Sequence, residues 1–508
     1  MTMDFRTILG TSNIRRLLLL ELLYYQREGL SSDQLIAKLN CSLPILLNDI
    51  EIINSEKPTF QVVKVKGIYR IVVDKSLSLG NVYGDFLRLC PEFQIIEELL
   101  YEECDNITAL SKKLYISSSN TQRYLKKIEE TLTEAGMALC YRPLRIEGDE
   151  GEIRNFYYRF YSERQSTFES TLPKLPSNHY YILEQYVQDF VKVNNIHEKY
   201  VFKKRLIYNM YISFWRIKSG HHYPEDELRT DGIILPMELS YKRLKQAVRE
   251  GVDLELTPKM LRDTLWLTFS DAIVFSIEHR DLAMTDNPKY RRLFMQHYEL
   301  AEEFDKILGN PMTNLNKTDL ATVLTNDYYL CNPQGKYLGV LWRNRTVFVE
   351  HASKVYARGV QKVRKLVECF VDKYKMFQEA DYVQNYVYLL ITTEVYSLEW
   401  LASQDQLLKV LLLSDLSPTE ETFLAKQIFE SVYGNFTITH FEQLSGGIPN
   451  LKEELKNYDC LITTGSSEGL PKDYPVVVID PFLTDQSRHF IQETISELSI
   501  QGEQDETE

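Results

Sequence analysis

The chain has 508 residues, 44% of them hydrophobic and 12% aromatic, with a formal net charge of −14. That length suits about three to five domains, and so apolar a composition excludes wholesale disorder. The longest apolar run near the start, Leu17–Leu20, meets Glu21 at once, so neither a signal peptide nor a membrane span is expected.

The seven cysteines (41, 90, 104, 140, 331, 369 and 460) form no CxxC pair and have no nearby histidine partners, which fits buried reduced thiols and a cytoplasmic address. Asn13–Tyr25 is predicted as a long helix, followed by a serine-capped helix at Ser31–Leu39, a turn at Asn40–Ser42 and a helix at Leu43–Asn54. Strands Phe60–Val65 and Ile68–Val73, joined at Lys66-Gly67, complete a winged helix-turn-helix pattern. The helix in the recognition position has no Lys or Arg and contains Asp49 and Glu51, carboxylates that a phosphate backbone repels. It is therefore read as a packing element, and the wing, with Lys64, Lys66 and Arg70, as the part that meets DNA.

A second unit follows. Asn106–Leu114 packs through Ile107, Leu110 and Leu114, a turn covers Tyr115–Ser117, and Ser118–Leu132 buries Leu125, Ile128 and Leu132 at helical spacing. The other face of that helix offers Ser118, Ser119, Asn120, Thr121, Gln122, Arg123, Lys126 and Lys127, residue types that read base edges or hold phosphates in a major groove. Lys112 and Lys113 precede it; Arg142 lies in the turn between the short wing strands Met137–Tyr141 and Leu144–Glu147, and Arg145 on the second of them. From Asn106 to Arg145 there are seven basic residues against Glu129, Glu130 and Glu134, whereas residues 1–165 as a whole hold 21 Lys/Arg and 23 Asp/Glu. A local basic stripe on an acidic chain is the footprint of a DNA-binding module joined to domains that do not bind.

The segment Leu144–Arg154 (LRIEGDEGEIR) resembles the Mga/RofA-like family of virulence gene regulators of Gram-positive bacteria, where it reads hydrophobic-x-Gly-x-Glu-x-x-Ile-Arg. The resemblance extends more loosely over the whole chain. It implies a mainly α, multidomain fold: winged helix-turn-helix units at 1–76 and 77–165, the second being the main DNA reader; two helical-bundle domains at 166–288 and 289–403, similar to sugar-transport-linked (PRD-like) regulatory domains; an EIIB-like α/β domain at 404–501; and an acidic tail at 502–508. It further implies a DNA-binding transcription regulator, an activator of surface or adhesin genes, with promoter DNA, a second copy of itself and RNA polymerase as partners. The alternative is a phosphotransferase-linked, sugar-responsive regulator or antiterminator controlled by histidine phosphorylation. An antiterminator opens with a small β-sheet RNA-binding domain, whereas this chain opens with helices.

The middle is strongly helical, with predicted helices at Tyr180–Asn194, Lys199–Lys218, Leu235–Glu250, Pro258–His279, Tyr290–Leu308, Val347–Phe377 and Ala380–Trp400. Breaks are expected at Lys218–Gly220, Asp286–Pro288, Gly309–Pro311 and Asn332–Gly335. Its titratable candidates are His179, His197, His221, His222, His279, His297 and His351. His221-His222, at a helix end, is the pair that relatives would place for phosphorylation, although the helix dipole alone favours histidine there.

Beyond it, Leu407–Leu413, Phe436–His440, Asp459–Thr464 and Pro475–Asp480 are predicted strands, and Pro418–Val432 and Asp485–Leu498 helices, of a small parallel α/β domain. EIIB subunits carry a nucleophilic cysteine after their first strand; here the loop is Ser414-Asp415-Leu416-Ser417, and Cys460 falls inside a strand. The domain is read as a non-catalytic remnant used for association. Ser445–Gly447 and Thr464–Ser467 are small-residue loops of a kind that can bind an anion, and ordinary turns explain them equally well. No nucleotide-binding, hydrolase or metal-ligand motif occurs, so no enzyme, cofactor or metal is expected.

Overall fold

The computed structural model describes residues 5–26, 28–56, 60–164, 172–196, 200–309, 312–330, 339–376, 380–394, 396–441, 448–465 and 474–504. The chain forms two compact units, one of residues 1–295 and 325–343, the other of residues 296–324 and 344–508. Within the first unit a single apolar core runs from Phe5 to Leu341.

The first winged unit consists of α1 (Thr11–Tyr25), β1 (Leu30–Ser31), α2 (Ser32–Leu39), α3 (Leu43–Glu56), β2 (Phe60–Val65) and β3 (Ile68–Val73). Ser31 caps α2 in a reciprocal capping box with Gln34, satisfying end groups that would otherwise have no partner. The strands form an antiparallel sheet in the order β1-β3-β2, and β2 turns into β3 through Lys66 and Gly67, both at positive φ.

In the second unit, α4 (Leu79–Leu89) and α5 (Pro91–Tyr101) precede α6 (Ile107–Lys113) and α7 (Ser118–Glu134), then β4 (Ala138–Tyr141), β5 (Leu144–Glu147) and α8 (Glu150–Arg164). Pro91 sits in the first turn of α5, where its missing N–H costs nothing. The unit continues with α9 (Ser177–Val193), α10 (Tyr200–Lys218), α11 (Leu239–Val252), α12 (Pro258–Thr264), α13 (Trp266–Phe269) and α14 (Ile277–Asp286). Three buried tyrosines join this helical part to the second winged unit: the Tyr101 hydroxyl lies 2.8 Å from that of Tyr211 and 3.1 Å from that of Tyr161.

Two corrections to the predicted helices have clear causes. The expected Pro258–His279 helix is interrupted because Asp271 adopts a left-handed conformation (φ 56°), and its carboxylate binds Arg229, His279 and Asn287. The expected Val347–Phe377 helix is two, α17 (Asn344–Val355) and α18 (Ala357–Lys373), broken at Tyr356. There Gly359 lies so close to Leu401 that a Cβ would come within 2.9 Å of its Cα. Between them in sequence, α15 (Pro288–Leu308) was expected, whereas α16 (Asn314–Leu330) was not. The stretch 289–403 thus contributes residues to both units, and 325–343 joins the first through Glu163, whose carboxylate accepts the backbone N–H groups of Val340, Leu341 and Trp342.

The second unit of the chain also holds α19 (Ala380–Thr393), α20 (Ser397–Gln404) and a four-stranded parallel sheet. The sheet uses β6 (Leu408–Leu413), β7 (Phe436–His440), β8 (Cys460–Thr463) and β9 (Val476–Val478) in the order β7-β6-β8-β9, with α21 (Pro418–Ser431), α22 (Ile448–Glu454) and α23 (Asp485–Gln504) as its helices. The parallel register follows from the short apolar strands alternating with helices. Helix α23 runs to Gln504, into the stretch expected as a free acidic tail. Residues 310–311, 331–338, 442–447, 466–473 and 505–508, which include the break expected at Asn332–Gly335, part of that at Gly309–Pro311 and parts of the small-residue loops, lie outside the described residues, as does His197.

Candidate nucleic-acid interface

Helices α6 and α7 form the helix-turn-helix of the second winged unit. Asn106 caps α6 by accepting the Ala109 N–H at 3.0 Å, and Ser117 caps α7 by accepting that of Asn120 at 3.3 Å. Leu110, Leu125, Ile128 and Leu132 are buried, which fixes the rotation of α7. Between the helices, Thr121 accepts from the Ser111 hydroxyl at 3.0 Å and donates to the Ser117 carbonyl at 3.1 Å. Tyr141 on the wing donates to Glu129 of α7 at 2.8 Å, so wing and helix hold one orientation.

That rotation sorts the expected site residues. Ser118, Ser119, Gln122, Arg123 and Lys126 are exposed along one face of α7, and Asn120 is half-buried beside them. Arg123 leans over the Tyr124 ring at 5.3 Å, and Lys126 approaches Glu130 only at 4.0 Å, a surface pair worth little. On the concave side, a groove of about 1000 Å³ between α6 and the wing brings together Asn106, Lys112, Tyr141 and Arg142.

Four expectations need correction or restriction. Thr121 is fully buried, and its hydroxyl serves the α6–α7 contact, so it is not available to DNA. Lys127 turns inward, donating to the Leu9 carbonyl at 3.3 Å. Lys113 is held by Glu98 and Glu103, each at 2.6 Å. Arg145 is held by Glu147, with Nε 2.8 Å from the carboxylate.

In the first winged unit Lys64 and Lys66 are exposed on the wing, Lys64 at 4.8 Å over the Tyr69 ring. Of the two carboxylates that set α3 aside, Glu51 is exposed as expected and Asp49 is not. Asp49 does not face outward: it is buried and paired with Arg15 at 2.5 Å and Arg16 at 3.0 Å. Besides Leu43, Ile45 and Leu47, α3 exposes Asn48, Ser55 and the carboxylate of Glu51. That face carries no cation to hold a phosphate backbone, and Glu51 repels one.

The motif that carried the family resemblance is an ion-paired joint between wing and helical region. Gly148 takes φ 149°, open to glycine, and Ile153 is buried. Glu150 pairs with Arg154 (2.8 Å) and Arg216 (2.8 Å); Arg154 also binds Asp263 (2.7 Å), and Arg216 binds Glu102 (3.0 Å) and the Ile146 carbonyl of β5 (3.3 Å). Both guanidiniums are buried. Burial alone would raise the Glu150 carboxyl, but the two arginines outweigh it and hold it below the ordinary carboxylate range. His221 and His222 border this joint: His221 Nε2 lies 2.8 Å from Glu102, and His222 Nδ1 lies 2.9 Å from Asp263. Sequence reasoning missed the joint because its partners are up to 114 residues apart.

In the parallel-sheet domain Cys460 is buried, and desolvation with the nearby Asp459 charge pushes its thiol up to about 12, far from a reactive thiolate. Among the described residues no helix is long and apolar enough to cross a membrane, and no group of three or more His, Cys, Asp or Glu is placed to hold a metal.

A basic helix-turn-helix with a wing, packed on a larger helical region of the same unit, is the architecture of a DNA-binding transcription regulator. Residues 75–161 match the Mga helix-turn-helix domain. Over 465 residues the chain is 21% identical to a protein of Streptococcus pneumoniae serotype 4 named as a trans-acting regulator, covering 90% of this chain and 92% of that one. It is 31% identical over 216 residues to the capsule synthesis positive regulator AcpA of Bacillus anthracis, and 25% identical over 210 residues to AcpB of the same organism. Each of those two matches covers 41% of this chain and 43% of the relative. Together with the wing motif, these matches support an Mga-like regulator.

Proposed function

We propose that this regulator activates transcription by placing α7 in the major groove of promoter DNA. The carrying observation is the single exposed face of α7, where Gln122 and Arg123 stand between Ser118, Ser119 and Lys126. In this reading Gln122, Arg123 and the half-buried Asn120 meet base edges, while Ser118, Ser119, Lys126, Lys112 and Arg142 hold phosphates. Lys64 and Lys66 add backbone contacts from the first wing. The positive sign of regulation, and surface genes such as those for a capsule as targets, are carried over from the names of AcpA and AcpB.

The four-part division of residues 1–403 and an EIIB-like identity for the sheet domain belong to the same proposal. The order β7-β6-β8-β9 and the lack of cysteine in the 414–417 loop support a non-catalytic domain of that kind. Exposed Phe423, Phe429, Tyr433 and Phe482 on that domain support its use in self-association. Two copies would then put two reading heads on one DNA, raising affinity by effective concentration. RNA polymerase is the further partner an activator needs. A second reading, control by phosphotransferase proteins, draws on His222, whose exposed ring is held through Nδ1 by Asp263 so that Nε2 is the nitrogen left for a phosphoryl group.

Selection of bound fragments from sheared genomic DNA tests the main reading, comparing wild type with Gln122→Ala/Arg123→Ala at about physiological salt. Enrichment of a few promoter fragments, lost in the variant, is expected. Equal enrichment by both proteins would remove α7 from the role of reader.

A further inference from the structure

A cleft of about 780 Å³ lies where α8 begins, between the wing exit and the helical part of the same unit. Its size is that of a small-molecule site. One wall is a stacked aromatic pair, Tyr223 on Trp266, with centroids 4.8 Å apart and planes 24° apart. The pair rests on the first turn of α8: a Cβ at Gly151 would stand 3.1 Å from Tyr223 and 3.2 Å from Trp266.

The rest of the lining is strongly acidic. Three of its carboxylates have cations: Asp271 and Asp286 share Arg229, and Glu227 approaches Lys289 at 3.9 Å. The other four, Asp149, Glu152, Asp226 and Asp231, have no ion-pair partner among the described residues. A second, independent feature points to a ligand. Trp266 is only 3% exposed and lines the cleft, yet its indole N–H finds no acceptor. A buried donor without a partner costs about 1–3 kcal/mol, which a ligand acceptor would relieve if the Tyr223–Trp266 pair shifts to admit it.

We propose that this cleft binds a small organic cation, an alkylammonium or guanidinium compound that also carries a hydrogen-bond acceptor, against the Tyr223–Trp266 stack and the carboxylates of Asp149, Glu152, Asp226 and Asp231. Ring faces attract such cations, and the unpaired carboxylates supply the countercharge. Burial and the neighbouring Asp149 push the Glu152 carboxyl up to about 8, so Glu152 would release its proton as a cation arrives and then join Asp149, Asp226 and Asp231 as countercharge. The ligand would sit on the joint that carries the wing, because Asp149 accepts the Glu152 N–H at 2.9 Å and is separated from β5 only by Gly148. Occupancy would therefore bias the orientation of the wing. The proposal does not depend on the DNA contacts assigned to α7.

The test is isothermal titration of the full chain with spermidine and with agmatine, using inorganic phosphate and glycerol as controls. The variants are Glu152→Gln, Asp226→Asn and, as an acidic surface control far in sequence, Glu453→Gln. Saturable binding of at least one cation is expected, weakened at least tenfold by Glu152→Gln and by Asp226→Asn and unchanged by Glu453→Gln. Unchanged melting of Asp226→Asn, an exposed position, separates lost binding from lost folding. No saturable binding of either cation, equal weakening by Glu453→Gln, or tighter binding of phosphate would overturn the proposal.

Discussion

Arg154 offers the sharpest test of the joint that ties the DNA reader to the helical region. Its side chain is fully buried and donates to Glu150 at 2.8 Å, to the Asp263 carboxylate at 2.7 Å and to the Asp263 carbonyl at 2.9 Å. Replacing it by methionine keeps the volume and removes the charge. Glu150 retains Arg216, but Asp263, only 4% exposed, keeps just His222 and the Tyr223 N–H. Breaking a buried pair on one side costs about 3–5 kcal/mol, because the surviving charge stays desolvated. We expect Arg154→Met to destabilise the first unit by about that amount. Urea unfolding followed by tryptophan fluorescence is the assay, since Trp215, Trp266 and Trp342 all lie in that unit and urea adds no ionic strength. Adding Asp263→Asn to the variant should return about half of the loss by removing the stranded charge. A cost below about 1 kcal/mol for the single change, or no recovery in the double variant, would refute the assignment of Arg154 as the keystone of the joint.

Three further outcomes follow from the same structure. Thr121→Val should cost about 1 kcal/mol of stability in the same urea assay, by removing the hydroxyl that links Ser111 of α6 to the Ser117 carbonyl while Ser111 keeps the Ile107 carbonyl; a neutral substitution would mean that this link does not stabilise the α6–α7 contact. The Glu152 carboxyl is raised in the folded chain, so it stabilises the protonated folded state; that contribution is complete at acid pH and is lost as pH rises from about 5 to about 8. Glu152→Gln should flatten this part of the stability profile between pH 5 and 8, and an unchanged slope would count against the shift. Finally, Phe423→Ser combined with Phe429→Ser should leave a folded protein that sediments as a smaller species, whereas an unchanged profile would take association away from that face.

Much of this architecture is legible in the sequence because it is locally encoded. Serine and asparagine caps, apolar spacing and the Lys66-Gly67 turn specify both winged units within short windows. The parallel strands of the C-terminal sheet were found to within about two residues for the same reason. What was hidden is tertiary. Helical spacing marks Thr121 and Lys127 as neighbours of the reading face, yet one fills the α6–α7 contact and the other reaches the Leu9 carbonyl. Asp49 looked like a solvent-facing charge until Arg15 and Arg16 closed over it. Asp271 broke a helix that periodicity alone would continue, because its partners Arg229 and Asn287 are distant in sequence. Local signals fix elements, whereas side-chain roles depend on which distant charge meets them.

The most direct test of the central claim compares the two winged units on one selected DNA site, measuring affinity against base substitutions and against salt. Arg123→Ala should cost about 1–3 kcal/mol and relax specificity at one position, while Lys126→Ala should weaken all sequences alike and lower the salt slope by about 1. Lys64→Ala/Lys66→Ala should act only through the salt slope. If that pair abolished specificity and Arg123→Ala left it intact, the first unit would be the reader, and the role assigned to α7 would be wrong.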